Sequence, residues 1–152
     1  MKGSTAVIVD ILSRFIFEGE VFDKRKTTPL NVRMLNEMMI NAQKEAYGSS
    51  LDEKYLMPYA WLNKPHYYRG SLSFYNFPYA FGLLFAKGIY AEYIKQGEPF
   101  VEKFNLLLRK TGQMSVEDVA LLVGIDVSSK EFWNSSLDVI VKEIDMFLEL
   151  TK

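Results

Sequence analysis

Apolar residues recur at helical spacing along almost the whole chain, and this pattern constrains the fold more than any other feature. No two segments alternate apolar and polar residues around a hairpin turn, as antiparallel strands would. The C-terminal segment shows the helical i, i+3, i+4, i+7 spacing best, at Phe132, Leu137, Ile140, Val141, Ile144, Phe147 and Leu148. The sequence therefore predicts an all-α fold, a multi-helix bundle.

Helix-capping residues, glycines and prolines predict where the helices begin and end. Serine, threonine and asparagine favour helix starts, whereas glycine favours helix stops. Between Gly48 and Ser73, Pro58 and Pro65 bracket a segment too short for a long helix. The predicted helices run from a cap at Ser4 and Thr5 to Lys24, from Thr28 or Asn31 to Tyr47, from Ser73 to Gln96, from Glu98 to Gly112, from Ser115 to Val123, and from a capping box at Ser128–Glu131 towards the C-terminus.

Length and composition are those of one globular domain. A chain of 152 residues with 49% hydrophobic and 24% charged residues can bury a core by itself, so residues 1–152 are predicted to form a single helical domain. The net charge of -1 argues against a nucleic-acid partner. No apolar run reaches the roughly 18 residues of a membrane span, and no signal-peptide cleavage pattern occurs. We therefore expect a cytoplasmic protein without a membrane partner.

The first predicted helix is apolar around nearly its whole circumference at its start, through Ala6-Val-Ile-Val9. A helix that is apolar all round is normally buried, whereas natural N-termini are normally exposed. We therefore expect that the chain is part of something longer, an expressed segment or a truncated gene product. If the chain stands alone, the exposed apolar first helix could drive self-association.

A block rich in aromatic residues surrounds the single histidine, His66. The region from Tyr55 to Tyr93 contains every tyrosine except Tyr47. Because a buried phenol needs a hydrogen-bond partner, a core selected for packing alone would favour aliphatic residues and phenylalanine. The block therefore has two interpretations: an aromatic core with satisfied hydroxyls, or a pocket lined by phenols around one imidazole.

The side chains of this block can donate hydrogen bonds. An imidazole and phenols are good donors at neutral pH, and donors around a carbonyl under attack stabilise the oxyanion that forms. Tyr75 and Tyr79 are four residues apart and would share one face of a helix. Gly70 lies in the loop between them and His66, where a loop can close on an extended peptide backbone. The block could thus polarise an amide, although nothing in the sequence would activate the attacking water.

Several other kinds of site are excluded or disfavoured. One histidine and no cysteine cannot form a zinc site from the usual ligands, so no metal ligand is predicted. The sequence has no Walker loop, dinucleotide-binding glycine motif or calcium loop. The carboxylates are expected on solvated helix surfaces. A Ser/His/Asp arrangement using Ser71 or Ser73 stays open, although neither serine has a nucleophile-elbow pattern around it.

The sequence resembles the C-terminal part of the oligoendopeptidase F branch of the thimet-oligopeptidase-like zinc metallopeptidases. The similar stretches cover nearly all of the chain, and the block from the histidine to the tyrosines is the most specific of them. They are Ser13-Arg-Phe-Ile-Phe-Glu18, Gln43-Lys-Glu-Ala-Tyr-Gly48, Lys64-Pro-His-Tyr-Tyr68, Phe74-Tyr-Asn-Phe-Pro-Tyr-Ala-Phe-Gly-Leu-Leu-Phe85, Ser115-Val-Glu-Asp118 and Gly124-Ile-Asp126.

The resemblance implies a helical fold around a deep channel, a zinc ion, and the cleavage of short peptides. It implies that His66, Tyr75 and Tyr79 bind substrate and steady the tetrahedral intermediate, with Tyr67 and Tyr68 as further substrate-binding candidates. The family's zinc ligands and general base belong to an upstream His-Glu-x-x-His segment, which this sequence lacks. We therefore expect this chain alone to bind no zinc and to hydrolyse nothing without the missing N-terminal part.

Two functional hypotheses follow from the sequence. In the first, the chain is the C-terminal substrate-binding part of a zinc metalloendopeptidase that hydrolyses short peptides. In the second, it is a non-catalytic helical module that binds peptides or another protein. The two differ in whether peptide turnover accompanies peptide binding. The spacing of the tyrosines from His66 varies within the family, and Phe77 stands where some relatives have tyrosine.

Overall fold

The computed structural model describes residues 2–72 and 75–152. Within these ranges the chain is all-α and contains six α-helices longer than a single turn, with no strand. The predicted fold class is therefore confirmed. The described chain divides into two compact units, which we call the N-terminal unit (residues 2–81) and the C-terminal unit (residues 82–152). The prediction that residues 1–152 form one domain stays a prediction.

The first helical segment consists of three consecutive parts. A single α-helical turn, Lys2–Thr5, leads into a π-helical turn, Ala6–Asp10, and then into helix α1, Ile11–Lys24. The predicted cap at Ser4 is wrong, because this residue lies inside the first turn. Helix α1 presents apolar side chains on its surface, since Leu12 and Phe15 are 45% and 50% exposed.

Helix α2, Val32–Tyr47, begins and ends where its local sequence predicts. The side chain of Asn31 accepts a hydrogen bond from the backbone N–H of Met34 at 3.0 Å. Gly48 follows the helix with a φ of 55°, and its N–H donates to the carbonyl of Lys44. Asn31 thus satisfies a free donor of the first turn, and glycine tolerates the positive φ at the end.

The core of the N-terminal unit lies between α1 and α2. It is formed by the buried side chains of Phe17, Met38, Met39 and Ala42. Met38 and Met39 of α2 thus fill the core between the two helices, as flexible methionine side chains commonly do. The partly buried apolar residues around this core include Trp61 and Tyr67 from the segment that follows α2.

Short 3-10 turns rather than one long helix connect α2 to the next helix. Gln43 fixes this connection to α2: its side-chain amide donates to the Met57 carbonyl at 2.9 Å, and its carbonyl accepts from the Met57 N–H at 3.0 Å. The turns span Gly48–Ser50, Glu53–Tyr55, Ala60–Asn63, Pro65–Tyr68 and Gly70–Leu72.

Helix α3, Phe77–Gln96, starts later than predicted. The predicted start, Ser73, lies outside the described residues, and Tyr75 and Asn76 form a turn before the helix. At the other end Gly97 has a φ of 68°, and its N–H donates to the Tyr93 carbonyl at 2.7 Å. The C-terminal stop is therefore the glycine stop that the sequence predicts.

The C-terminal unit contains the rest of α3 and three further helices, α4 (Pro99–Lys110), α5 (Val116–Leu121) and α6 (Lys130–Leu150). Ser115 caps α5 as predicted, since its hydroxyl accepts from the Asp118 N–H at 3.1 Å. Ser129 rather than the predicted Ser128 caps α6. The buried core of this unit comprises Phe100, Leu107, Val119, Ala120, Val123, Ile125 and Phe132.

No α-helix in the described part of the chain is both long enough and apolar enough to cross a lipid bilayer.

Candidate functional site

His66, Tyr75 and Tyr79 form a three-ring cluster in the N-terminal unit. The imidazole centroid lies 5.7 Å from the ring centroid of Tyr75 and 6.3 Å from that of Tyr79. The two phenol rings are 5.8 Å apart and perpendicular, an edge-to-face arrangement that aromatic pairs favour. The structure thus brings together the three residues for which the resemblance implies a catalytic role. We call them the His-Tyr cluster.

Local backbone structure rather than one shared helix face positions these rings. His66 lies in the 3-10 turn Pro65–Tyr68. Tyr75 lies in the turn before α3, whereas Tyr79 is on the first turn of α3. The prediction that both tyrosines lie on one helix is therefore wrong for Tyr75. The rings nevertheless lie close together. The Tyr79 N–H donates to the Asn76 carbonyl at 3.2 Å, so the turn that carries Tyr75 leads directly into the helix that carries Tyr79.

Both phenols of the His-Tyr cluster are accessible. Tyr75 is 44% exposed and Tyr79 is 46% exposed, while His66 is half-buried and its Nδ1 atom is buried without a hydrogen-bond partner in the described chain. An aromatic core with satisfied hydroxyls would bury these rings. The exposure of the two phenols instead favours a surface at which a ligand can reach both tyrosine rings.

A buried hydrogen bond lies next to the cluster in sequence. The side-chain amide of Asn76 donates to Oε1 of Glu18 at 2.8 Å. Asn76 is 1% exposed and Glu18 is 3% exposed. The expectation that the carboxylates lie on solvated helix surfaces is therefore wrong for Glu18.

Burial changes the acidity of this carboxyl. It raises the pKa of Glu18 to about 7, although the hydrogen bond from Asn76 and the positive charge of Arg14 both act to lower the pKa. Removal from water penalises the charged form of an acid, and one hydrogen bond to the carboxyl does not offset that penalty. Glu18 therefore titrates near neutral pH, as groups at functional sites often do.

Glu18 and His66 also line an open cavity of about 400 Å³ in the N-terminal unit, which we call the Glu18 cavity. Three residues predicted to bind substrate lie in its wall, namely Tyr67, Tyr68 and Gly70, whereas Tyr75 and Tyr79 are not among the lining residues. The rest of the wall is mainly apolar, with one exposed cation, and is formed by Phe17, Val21, Phe22, Arg25, Leu35 and Trp61.

The neighbouring phenols of Tyr67 and Tyr68 have different environments. The ring of Tyr67 packs against Phe17 with centroids 5.5 Å apart, and its hydroxyl is buried without a partner among the described residues. Burial, with a smaller contribution from the charge of Glu18, raises the pKa of Tyr67 well above its ordinary value. Tyr68 is 59% exposed and donates to the Trp61 carbonyl at 3.4 Å. Of the two tyrosine hydroxyls, only that of Tyr67 is buried and lacks a hydrogen-bond partner among the described residues.

The described residues do not fit a zinc ion by themselves. Across residues 2–72 and 75–152, no three or more histidine, cysteine, aspartate or glutamate side chains are grouped so that they could hold a metal. The Glu18 carboxyl, whose Oε1 accepts from Asn76, and His66 are separate members of the cavity wall and not part of such a group.

Sequence reasoning missed Glu18 and Asn76. Glu18 follows the buried Phe17 and precedes charged residues, so its position looks like the start of a solvated face. One signal was present, because both residues lie inside stretches that carry the family resemblance. The pairing itself spans 58 positions, which no local pattern can reveal.

Comparison with known proteins gives one distant similarity. Over 122 residues the chain is 23% identical to Oligopeptidase PepF of Bacillus subtilis (strain 168). The matched stretch covers 80% of this chain and 18% of that protein, so the chain spans less than a fifth of the relative's length. No family model matches the chain, and no solved structure matches it. The similarity supports a distant relation to oligopeptidases.

Proposed function

We propose that this chain is the substrate-binding part of a zinc metalloendopeptidase that hydrolyses short peptides, and that the His-Tyr cluster holds the scissile peptide group. The observation that carries the proposal is the meeting of one imidazole and two accessible phenols within 6.3 Å, centroid to centroid. The distant similarity to an oligopeptidase supports short peptides as the substrate class.

The cluster supplies hydrogen bonds to the peptide carbonyl. At neutral pH a phenol donates its O–H, and a neutral imidazole donates from one nitrogen while the other accepts. These donors stabilise an oxyanion more than the carbonyl from which it forms, because the negative charge develops on the oxygen. A well-placed donor of this kind contributes about 3–4 kcal/mol to transition-state stabilisation. His66, Tyr75 and Tyr79 are the proposed donors.

Tyr67, Tyr68 and Gly70 bind the rest of the peptide in this proposal. All three line the Glu18 cavity together with His66, so a peptide held at the imidazole passes directly along this wall. Glycine has no side chain that would keep a peptide backbone at a distance. At Gly70 no heavy atom of the described chain lies within 4 Å of the Cβ position, so a peptide can approach the backbone there. In this proposal the zinc ligands and the group that activates water belong to a part of the enzyme that this sequence does not contain.

Binding of short peptides to the purified chain tests the proposal. Calorimetric titration with a diverse set of peptides should give saturable binding to the wild-type chain. His66→Phe should weaken that binding about tenfold or more, because it removes the ring nitrogens but keeps an aromatic ring. Tyr59→Phe is the control. It removes the hydroxyl of a 54% exposed tyrosine that belongs neither to the His-Tyr cluster nor to the wall of the Glu18 cavity. Equal affinities for all three proteins, or no binding, would overturn the proposal.

Peptide hydrolysis separates this function from that of a non-catalytic binding module. If the proposal holds, a longer protein that contains this sequence should cleave a bound peptide, and His66→Phe should lower its kcat/KM while its zinc content stays unchanged. Binding without any turnover by the longer protein would favour the module instead.

A further inference from the structure

The N-terminal unit contains a second, smaller cavity with about 180 Å³ of space, which we call the Lys64 cavity. Two cationic residues, Arg14 and Lys64, lie in its wall together with one acidic residue, Asp10, and the other residues of the wall are uncharged. Two positive charges and one negative charge leave an excess of one positive charge. The Lys64 cavity therefore has the charge of a site for an anion.

Lys64 supplies this excess charge. Arg14 forms an ion pair with Asp10, whereas Nζ of Lys64 has neither an ion-pair partner nor a hydrogen-bond partner in the described chain. The Lys64 side chain is half-buried, but Nζ itself keeps accessible surface. A ligand can therefore reach this ammonium group.

Two further donors of the wall are unused and accessible. The hydroxyl of Tyr47 has no hydrogen-bond partner in the described chain, and it is not one of the buried polar atoms there. The same holds for Nη1 of Arg14, because only Nη2 contacts Asp10, while Nε is buried and out of reach. The Lys64 cavity thus offers an ammonium, a phenol and one guanidinium nitrogen.

The pKa values of Tyr47 and Lys64 indicate that these groups lie near one another. Burial raises the pKa of Tyr47, with a further rise from the charge of Asp10 and an opposing effect of Arg14. Burial lowers the pKa of Lys64, with a further lowering by Arg14 and an opposing effect of Asp10. Charge interactions weaken with distance, so side chains that respond to the same two charges are neighbours.

A carboxylate matches these donors in chemistry and in charge. An ionised carboxyl group only accepts hydrogen bonds, and those it accepts from an ammonium or a guanidinium are about twice as strong as hydrogen bonds between neutral groups. Its single negative charge equals the excess charge of the wall. A phosphate group would bring about 1.5 to 2 negative charges and exceed it.

The Lys64 cavity lies within reach of a peptide held at His66. Lys64 precedes His66 by two residues, and two residues of chain span at most about 7 Å. Tyr67 belongs to the walls of both the Lys64 cavity and the Glu18 cavity. Since an extended peptide rises about 3.3 Å per residue, a short peptide can contact the imidazole and also place a carboxylate at Lys64.

We propose that the Lys64 cavity is a subsite for a carboxylate of the bound peptide, which accepts hydrogen bonds from Lys64, Tyr47 and Arg14. This inference rests on the proposed peptide-binding function and adds a preference within it. The carboxylate can be the C-terminus of the peptide or the side chain of an aspartate or glutamate.

Peptides altered at one carboxylate test the preference on the unaltered protein. The probe is a short peptide with one aspartate and a free C-terminus, compared by calorimetry with its C-terminal amide and with the same peptide carrying asparagine in place of aspartate. Loss of the carboxylate that the cavity accepts should weaken binding about tenfold or more, and the affected peptide identifies the source. Equal affinity for all three peptides would overturn the subsite.

A variant of the protein provides the reciprocal test. Lys64→Met keeps an unbranched side chain but removes the ammonium group, so it should abolish the preference for the carboxylate-bearing peptide. Lys54→Met is the control, because it removes the charge of an exposed lysine outside the wall of the Lys64 cavity, and it should keep the preference. A preference that survives Lys64→Met would contradict our assignment. Binding that depends on His66 but shows no preference for a carboxylate would leave the proposed function in place and remove only the subsite.

Discussion

The side-chain amide of Asn76 is hydrogen-bonded to the carboxyl of Glu18 at 2.8 Å, and both residues are buried. This hydrogen bond joins the middle of α1 to the turn that carries Tyr75. The backbone carbonyl of Asn76 also accepts the N–H of Tyr79. One residue therefore contacts both the buried carboxyl and the backbone of the His-Tyr cluster.

Asn76→Ala should destabilise the chain by about 2–3 kcal/mol, because it leaves a buried carboxyl without its donor and opens a small cavity. Urea unfolding followed by circular dichroism measures the change. Asn41→Ala, at an exposed position of α2, should change the stability by less than about 0.5 kcal/mol. Equal effects of the two substitutions would show that the hydrogen bond contributes nothing to stability.

Glu18 should make the chain less stable as the pH rises. Its pKa is about 7 in the folded chain against an ordinary value of 4.5, so between these values the folded state holds a proton that the unfolded state has released. The free energy of unfolding should therefore fall from about pH 4.5 to pH 7 by on the order of 3 kcal/mol. Above pH 7 this contribution should stay constant.

Glu18→Gln provides the control for this pH dependence. Because glutamine cannot ionise, the variant should be more stable than the wild type at pH 8 and nearly equal to it at pH 4.5. Urea unfolding of both proteins at a series of pH values measures the difference. Parallel stability curves for the two proteins would contradict the raised pKa.

Two glycines of α3 should respond in opposite directions to substitution by alanine. A Cβ at Gly88 would lie 2.4 Å from ring atoms of Phe132 and 2.6 Å from the Ser136 hydroxyl, whereas a Cβ at Gly82 would meet no heavy atom of the described chain within 4 Å. Gly88→Ala should therefore destabilise the chain by about 1–3 kcal/mol. Gly82→Ala should stabilise it by about 0.5–1 kcal/mol through helix propensity.

Thermal unfolding of the two glycine variants checks this pair. A fall in Tm for Gly88→Ala and a rise for Gly82→Ala are expected. A rise for both would mean that α3 and α6 are not in close contact at Gly88. Gly88 thus allows a close helix contact, whereas the Cβ position of Gly82 is open.

The sequence predicts the helix ends well wherever a local interaction determines them. Asn31 caps α2 through an N–H three residues away, and Gly97 ends α3 with a positive φ. Such features depend on a few neighbouring residues, so the sequence shows them directly. The start of α3 was predicted too early because Tyr75 and Asn76 adopt a turn, and the partner that holds Asn76 is Glu18 in a distant part of the chain.

The candidate site was predictable in composition but not in arrangement. The resemblance singled out His66, Tyr75 and Tyr79, and their rings do meet. Tyr67 and Tyr68 are adjacent in sequence, yet only Tyr67 is turned into the core against Phe17. The burial of Glu18 depends on packing between α1 and the segment after α2, which helical periodicity does not encode.

The imidazole of His66 offers the most direct test of the proposed peptide site, because the chain has only one histidine. Its ring signals in a proton–carbon correlation NMR spectrum are therefore unambiguous. Addition of a short peptide should shift these signals in a saturable way, and Tyr75→Phe together with Tyr79→Phe should weaken the peptide affinity that the shifts report. Peptide binding that perturbs other residues while the His66 ring signals stay in place would contradict the account.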